Sequence, residues 1–392
     1  MRNIIFIIAL TGLIAACNQS GTSTDTKPVD STAIISKGMS ALPSPLNRNY
    51  GHGKFHRVAV ELRDGSILIA GGYTYDDMSR KWGILPTELY DTTSRRWTVL
   101  SPLVKGTQGQ DKIFLLPDGR VFFKYGVTAD GISLDYGLFY FSIYNPLTKN
   151  WEMKYNPASF DDRSPIQDCC LMNDGRVFII TPDYHYTWDP VSDTYSARVK
   201  NTFNATYSRC VLLACGEVLV CGGLGSTVVY PTDLCFLYPS YKISKMLSRK
   251  SGIDLVATPD NKAYILLMGN EKSNGAQNTS HYQYYDYATN TWNPIYASLD
   301  SYGQALSQGS VLFPSNKCFV MSESFNAISF ALFDFQTMQP VNNYIFHNSI
   351  APIARHGASL LALRNGKIFV LGYDQTNARP ECYVYDSGID YP

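Results

Sequence analysis

The chain has no charge surplus to offer a partner: 33 Lys and Arg stand against 33 Asp and Glu, a formal charge of zero. Binding nucleic acid or an anionic bilayer through a basic face requires an excess that is missing here. Charged residues make up only 17% of the chain, and Lys and Glu are sparse. No long stretch of helical period runs through it, which excludes a helical body. Histidine is scarce, six in all, without an HxH pair, and no CxxC pair occurs. The expectation is therefore no metal and no cofactor. There is no Ser-His-Asp order, no nucleophile elbow and no phosphate-cradling glycine loop. Gly-Gly-Leu-Gly at 222–225 reads as a turn between strands rather than the start of a helix.

What is present is a repeat rich in aromatics. Apolar residues form 45% of the chain, aromatics 13%, and Tyr alone numbers 28, a composition that favours strands. A turn dipeptide between two apolar runs recurs at Asp64-Gly65, Asp118-Gly119, Asp174-Gly175, Cys215-Gly216, Asp260-Asn261, Ser315-Asn316 and Asn365-Gly366, spaced 41 to 56 residues apart. Asp-Gly and Asn-Gly suit two-residue type I′ hairpin turns, in which both central residues need positive φ. After each turn comes a second landmark: Tyr90-Asp91, Tyr144-Asn145, Trp188-Asp189, Tyr238-Pro239, Tyr285-Asp286, Phe333-Asp334 and Tyr385-Asp386. Four copies add an aromatic six residues past the acidic position, namely Trp97, Trp151, Tyr195 and Trp292. These rings are expected to pack between neighbouring repeats. A unit of about 50 residues with four short strands predicts an all-β fold, a β-propeller of seven blades. Six is the alternative if the short fourth repeat is misread.

The pattern of turn, Gly71-Gly72, Tyr90-Asp91 and Trp97 resembles the kelch motif, the repeat shared with the galactose-oxidase central-domain superfamily. The resemblance covers residues 38 to 386. It departs from the family in that only repeats one and four keep Gly-Gly (Gly222-Gly223), and repeats four, six and seven lack the late aromatic. Trp188-Asp189 falls in the Tyr-Asp slot, so it is no sign of the Trp-Asp propeller family. The last repeat stops after three strands. MSALPSPL at 39–46 reads like WTVLSPL at 97–103, so this N-terminal segment is expected to supply the missing outer strand and close the ring.

By resemblance to kelch propellers, the first strand of each blade lines a central channel, and the loops entering it share one face with those between the second and third strands. Polar residues enter these inner strands throughout: His56, Arg57, Asp111, Lys112, Asp168, Arg209, Arg249, Arg355 and His356. They form a candidate mixed-charge ligand site at the channel mouth, or a ring that satisfies itself and channel water. Tyr73 and Trp82, in the long first insert, would stack on a sugar or anchor a peptide, or cover a loop core. Two enzymatic alternatives come with the resemblance. A copper-radical oxidase needs Tyr and His ligands and a Cys-linked Tyr, but the closest stretch, 354–366, holds His356 without an adjacent Tyr. A sialic-acid mutarotase-like activity needs an acid–base pair, for which the arginines and aspartates above supply composition but no motif. No catalytic residue is assigned.

Arg2 and the apolar run Ile4 to Ile14 read as an export signal over 1–16, and Ile14-Ala15-Ala16-Cys17 resembles the bacterial lipobox. The resemblance implies acylation of Cys17 and anchoring in the envelope, with Asn18 pointing to the outer membrane. Residues 17–32 then form a flexible tether and 33–392 the propeller. Apart from Cys17, eight cysteines remain, an even number that permits disulfides. Counting outward from a turn centred on Cys215-Gly216 places Cys210 opposite Cys221. A bridge from Cys169 or Cys170 to the next blade is the alternative, as are free core thiols. The expected function is a membrane-anchored module that binds a protein or glycan, with a carbohydrate-active enzyme as the alternative.

Overall fold

Each repeat begins with the same local device, a hairpin whose loop is three residues long. In the first, the Leu62 N–H donates to Ser66 O and the Gly65 N–H returns to Leu62 O, at 2.8 and 3.0 Å. The same pair of bonds closes the hairpins of Leu116/Arg120, Met172/Arg176, Leu213/Glu217, Thr258/Lys262, Phe313/Lys317 and Leu363/Lys367. Among the described loop residues only the last is left-handed, with φ of 84° at Gly65, 61° at Asn261 and 60° at Asn316. The turn is thus a type I turn closed by a left-handed residue, not the type I′ turn that the dipeptide suggests. Asp comes first in the dipeptide for another reason. The Asp64, Asp118 and Asp174 carboxylates accept the N–H two residues on, at 2.9, 2.9 and 3.0 Å.

The computed structural model describes residues 39–43, 45, 57–76, 81–103, 111–125, 140–155, 165–223, 233–247, 254–267, 283–295, 310–313, 316–324, 327–337, 339–345, 359–374 and 379–386. Seven antiparallel sheets are present, one per repeat, with a separate two-stranded hairpin, Tyr73–Asp76 with Lys81–Ile84, in the first. Their innermost strands are Arg57–Glu61, Lys112–Leu115, Asp168–Leu171, Arg209–Leu212, Asp254–Ala257, Ser310–Leu312 and Ser359–Ala362. Each neighbours the next in that order, and the last neighbours the first. The fold is therefore a seven-bladed β-propeller, and the six-blade alternative falls away. Second strands such as Ile67–Gly71, Val177–Ile180 and Val218–Cys221 are buried at every position. Both their faces lie against other sheets, so they read as unbroken apolar runs rather than as alternation.

The second sequence landmark combines a turn former with a packing ring. Asp91 accepts the Thr93 and Ser94 N–H groups at 2.8 and 3.1 Å, and Asp189, Asp286 and Asp334 begin equivalent turns. The aromatic before the acid pairs across the turn with the late aromatic: Tyr90 with Trp97 and Tyr144 with Trp151, at 4.9 and 5.2 Å between ring centres. The polar tip of each late aromatic then reaches the preceding blade. Trp151 Nε1 donates to Thr87 Oγ1 (2.8 Å), Tyr195 Oη to Tyr155 O (3.2 Å) and Trp292 Nε1 to Ser244 Oγ (3.3 Å). Blades lacking this ring use others. Tyr264 stacks on Phe335 at 4.0 Å between blades five and six, and Phe319 stacks on Tyr385 at 5.2 Å between six and seven.

Ring closure follows the same rule. Met39–Ala41 pairs antiparallel with Tyr383–Tyr385 as the outer strand of blade seven, and the Leu42 N–H extends the ladder to Cys382 O at 2.9 Å. Trp97 Nε1 donates to Pro43 O at 2.7 Å, so blade one grips the closing segment. Beneath it, Arg364 of blade seven pairs with Glu61 of blade one, its backbone N–H donating to Glu61 Oε2 at 2.7 Å. Removing residues 39–43 is expected to lower the melting temperature well beyond the effect of Trp97→Phe. The latter removes one hydrogen bond, worth about 1 kcal/mol. Thermal unfolding of both variants measures the order, and an unaltered melting temperature for the deletion would show that the ring does not depend on this strand.

Candidate functional site

The inner strands begin where the second strands end, and the chain places its buried charges there. In blade one, Arg57 pairs with Gly71 across the sheet. Its Nη1 meets Glu88 Oε2 at 2.5 Å, and its Nη2 donates to Pro86 O at 2.6 Å. Both charged side chains are buried. Gly72, with φ of 80°, lies so close that an added Cβ would fall 2.9 Å from Arg57 Cγ. Arg57 is thus committed to the loop that returns to the third strand, and glycine is required where its stem passes the backbone.

A larger polar network links blades two, three and four. Lys112 and Lys124 are cross-strand partners at the mouth end of blade two. Both reach into blade three, Lys112 Nζ to Asp168 Oδ1 and Lys124 Nζ to Gln167 O, each at 3.0 Å. Blade three passes the connection on. Asp168 Oδ2 accepts the Cys210 N–H and Gln167 Oε1 accepts the Tyr207 N–H, both at 2.8 Å. Gln167, Asp168 and Lys124 are almost fully enclosed, whereas the Lys112 side chain keeps 36% of its exposure. Asp111, next to Lys112 in sequence, and Ser208, next to Arg209, are also buried, and Arg209 is half-buried.

The charges shift one another. Burial alone pushes the Asp168 carboxyl up, but Lys112, Arg209, Lys124 and the Cys210 N–H outweigh it and hold it below the ordinary aspartate range. Burial works against the ammonium of Lys112, yet Asp168 prevails and raises its pKa. For Lys124 burial wins, although Asp168 opposes it, and the pKa falls. Asp168 is therefore an ionised hub shared by three blades, with Lys112 and Arg209 towards the solvent side.

Among the sequence candidates, Lys112, Asp168 and Arg209 meet in this network with Asp111 alongside, while Arg57 lies in its own buried pair. Tyr73 and Trp82 sit on the two strands of the first insert, where Tyr75 is the register partner of Trp82. His56, Arg249, Arg355, His356 and Cys17 lie outside the described residues. Sequence reasoning missed Glu88 and Lys124. The available signal was a charge inside an otherwise apolar run, Glu88 in LPTELY and Lys124 at the end of VFFK. It also misplaced one pair of cysteines. Because the loop holds three residues, Cys221 opposes Arg209, and Cys210 opposes Val220. Among the described residues, no group of three or more His, Cys, Asp or Glu is placed to hold a metal ion.

No family model matches the sequence, and no curated protein matches it. Among solved structures, a fungal alcohol oxidase of the AA5 family in complex with copper is similar at 14% identity with a TM-score of 0.41. The match covers 87% of this chain and 65% of that one, so the chain spans less than two thirds of the length of that oxidase.

Replacing Asp168 by Asn keeps its shape but removes the charge that Lys112 and the Cys210 N–H share. Breaking a buried pair costs about 3–5 kcal/mol, and the partial exposure of Lys112 puts the expected loss near ~3 kcal/mol at neutral pH. The sign with pH follows from the depressed pKa. The ionic contribution is complete above the unfolded-state value of about 4 and fades as pH falls through the lower folded value. Urea midpoints of wild type and Asp168→Asn should differ at pH 7 and converge in acid. A constant gap across that range would contradict an ionised hub.

Proposed function

We propose that this kelch-type propeller is a binding module that takes a protein or glycan ligand at the inner-strand end of blades two to four, held to the bacterial envelope by acyl chains on Cys17. One observation supports the choice of face. Three successive blades deliver charged side chains to a single network, with the cations Lys112 and Arg209 partly open to solvent above the buried Asp168. Asp168 fixes the orientation of Lys112 and the Ser208 carbonyl accepts from Arg209, and a preorganised polar group loses less on binding than a mobile one. The first-blade insert, with Tyr73 and Trp82 on its strands, leaves the ring at the same end of the sheets, beside Arg57.

A glycan and peptide array probed with the full chain, followed by titration of any hit against Arg209→Gln and Lys112→Gln, tests the reading. Each variant is expected to weaken binding about tenfold or more, which corresponds to about 1.4 kcal/mol. A ligand bound equally by both variants would place recognition elsewhere on the molecule. The anchor is tested separately. Wild type is expected in the detergent phase on phase separation and Cys17→Ser in the aqueous phase, because stable anchoring needs more than one acyl chain. A Cys17→Ser protein that remains with detergent would remove lipidation at that position from the proposal.

A further inference from the structure

The structure assigns two disulfide-forming pairs to blade four: Cys170 with Cys210, joining it to blade three, and Cys221 with Cys235, across its own second and third strands.

All eight described cysteines are thiols, and all but Cys215 are buried. Geometry separates them into partners and bystanders. Cys221 and Cys235 are direct partners in the antiparallel ladder, both fully enclosed, and the neighbouring Cys221 thiol adds to burial in raising the pKa of Cys235. Directly opposed residues in such a ladder have Cα atoms about 4.5 or 5.5 Å apart, inside the roughly 4.4–6.8 Å that a disulfide spans. The other pair lies between innermost strands. Asp168 and Cys170 share one face of their strand, since side chains alternate along it. The Asp168 carboxylate meets the Cys210 N–H at 2.8 Å, which fixes blade four beside that face. Cys170 and Cys210 belong to the same buried cluster, where the Cys170 thiol adds to burial in raising the pKa of Cys210, while Cys169 points the other way, into the core shared with blade two. The choice between Cys169 and Cys170 is thereby decided. Cys210 and Cys221 serve opposite faces of blade four, towards blades three and five, so they do not pair.

Each bridge forms by thiol–disulfide exchange. One thiolate attacks a small-molecule or protein disulfide, and its partner then displaces the mixed disulfide. One S–S bond is made in the chain, and the oxidant leaves as two thiols carrying both protons and both electrons. Enclosure of all four sulfurs requires that this occur while the blades are still assembling. Burial also holds the thiols of Cys210 and Cys235 protonated in the finished fold.

Refolding the reduced full chain in a mixture of oxidised and reduced glutathione, followed by acid quench, alkylation in denaturant and peptide mapping, is the test. The expected map shows peptides joined through Cys170–Cys210 and Cys221–Cys235, each lighter by two hydrogens, with alkyl groups on Cys169, Cys215, Cys318 and Cys382, and on Cys17 where it carries no acyl chain. Alkylation of any of the four paired cysteines in refolded monomer, or a Cys210–Cys221 bridge, overturns the assignment. A second measurement avoids disturbing the fold. Reductant should lower the urea midpoint of the oxidised wild type and leave that of Cys170→Ala/Cys221→Ala unmoved. A wild-type midpoint indifferent to reductant counts against the bridges.

Discussion

The constraint on which this molecule rests is that no blade can cover its own faces. A four-stranded sheet of this size buries one side against each neighbour, and the second strands are enclosed at every position only because two other sheets flank them. The outer-strand aromatics are how most interfaces are made. Each brings a large apolar face and a single donor, and the donor ends on the preceding blade, at Thr87, Tyr155, Ser244 or Pro43. Since the contact always runs backwards along the ring, the first blade needs something behind it. Met39–Ala41 and Pro43 supply it, and the closure becomes one more instance of the general joint.

Within that apolar ring, the network around Asp168 stands out energetically. Asp168, Lys124 and Gln167 occupy an interior where well-packed apolar side chains of similar volume are often equally stable or more so. Their bonds are directional, however. Lys112 and Lys124 reach forward to blade three, and Asp168 and Gln167 carry the connection on to blade four. Such bonds set the rotation of one blade relative to the next in a way that apolar packing does not. They also fix the height at which Lys112 and Arg209 face solvent. The rigidity of this face and the specificity of blade docking thus come from the same set of hydrogen bonds.

Blade number, blade order and N-terminal closure were legible in the sequence because each depends on local chemistry that repeats. The left-handed loop residue selects Gly or Asn, the acid forms its turn within three residues, and the ring pair lies directly across a hairpin. The turn class was not legible. Asp-Gly satisfies both a type I′ turn and a three-residue loop, and only the hydrogen-bond register separates them. That one-residue difference moved Cys210 from Cys221 to Val220. The site was legible in part. A charge at a strand entry, such as Asp168, announces itself, whereas Glu88 and Lys124 find their partners through tertiary contact and look like interruptions of apolar strands.

Blade four shows how a departure from the repeat is accommodated. It lacks the late aromatic, and its outer strand is only Ile243–Lys245, so the usual joint to blade three is missing. A different cluster takes over. His185 of blade three lies within 5.7 Å, centre to centre, of Phe236, Tyr238 and Tyr241 of blade four, and Asn201 holds its Nδ1 at 2.9 Å. Burial lowers the His185 pKa, with Asn201 opposing, so the imidazole packs as a neutral ring at neutral pH. Closer to the axis, the Cys210 N–H and its thiol are both turned to blade three, one to Asp168 and the other to Cys170. The interface that lost its outer anchor is therefore held by aromatic packing midway and by polar and sulfur contacts at the inner strand. Because Lys112 is bonded to the same Asp168 carboxylate that accepts the Cys210 N–H, blade four lacks the repeat signature without losing its tie to the polar network at the inner strands.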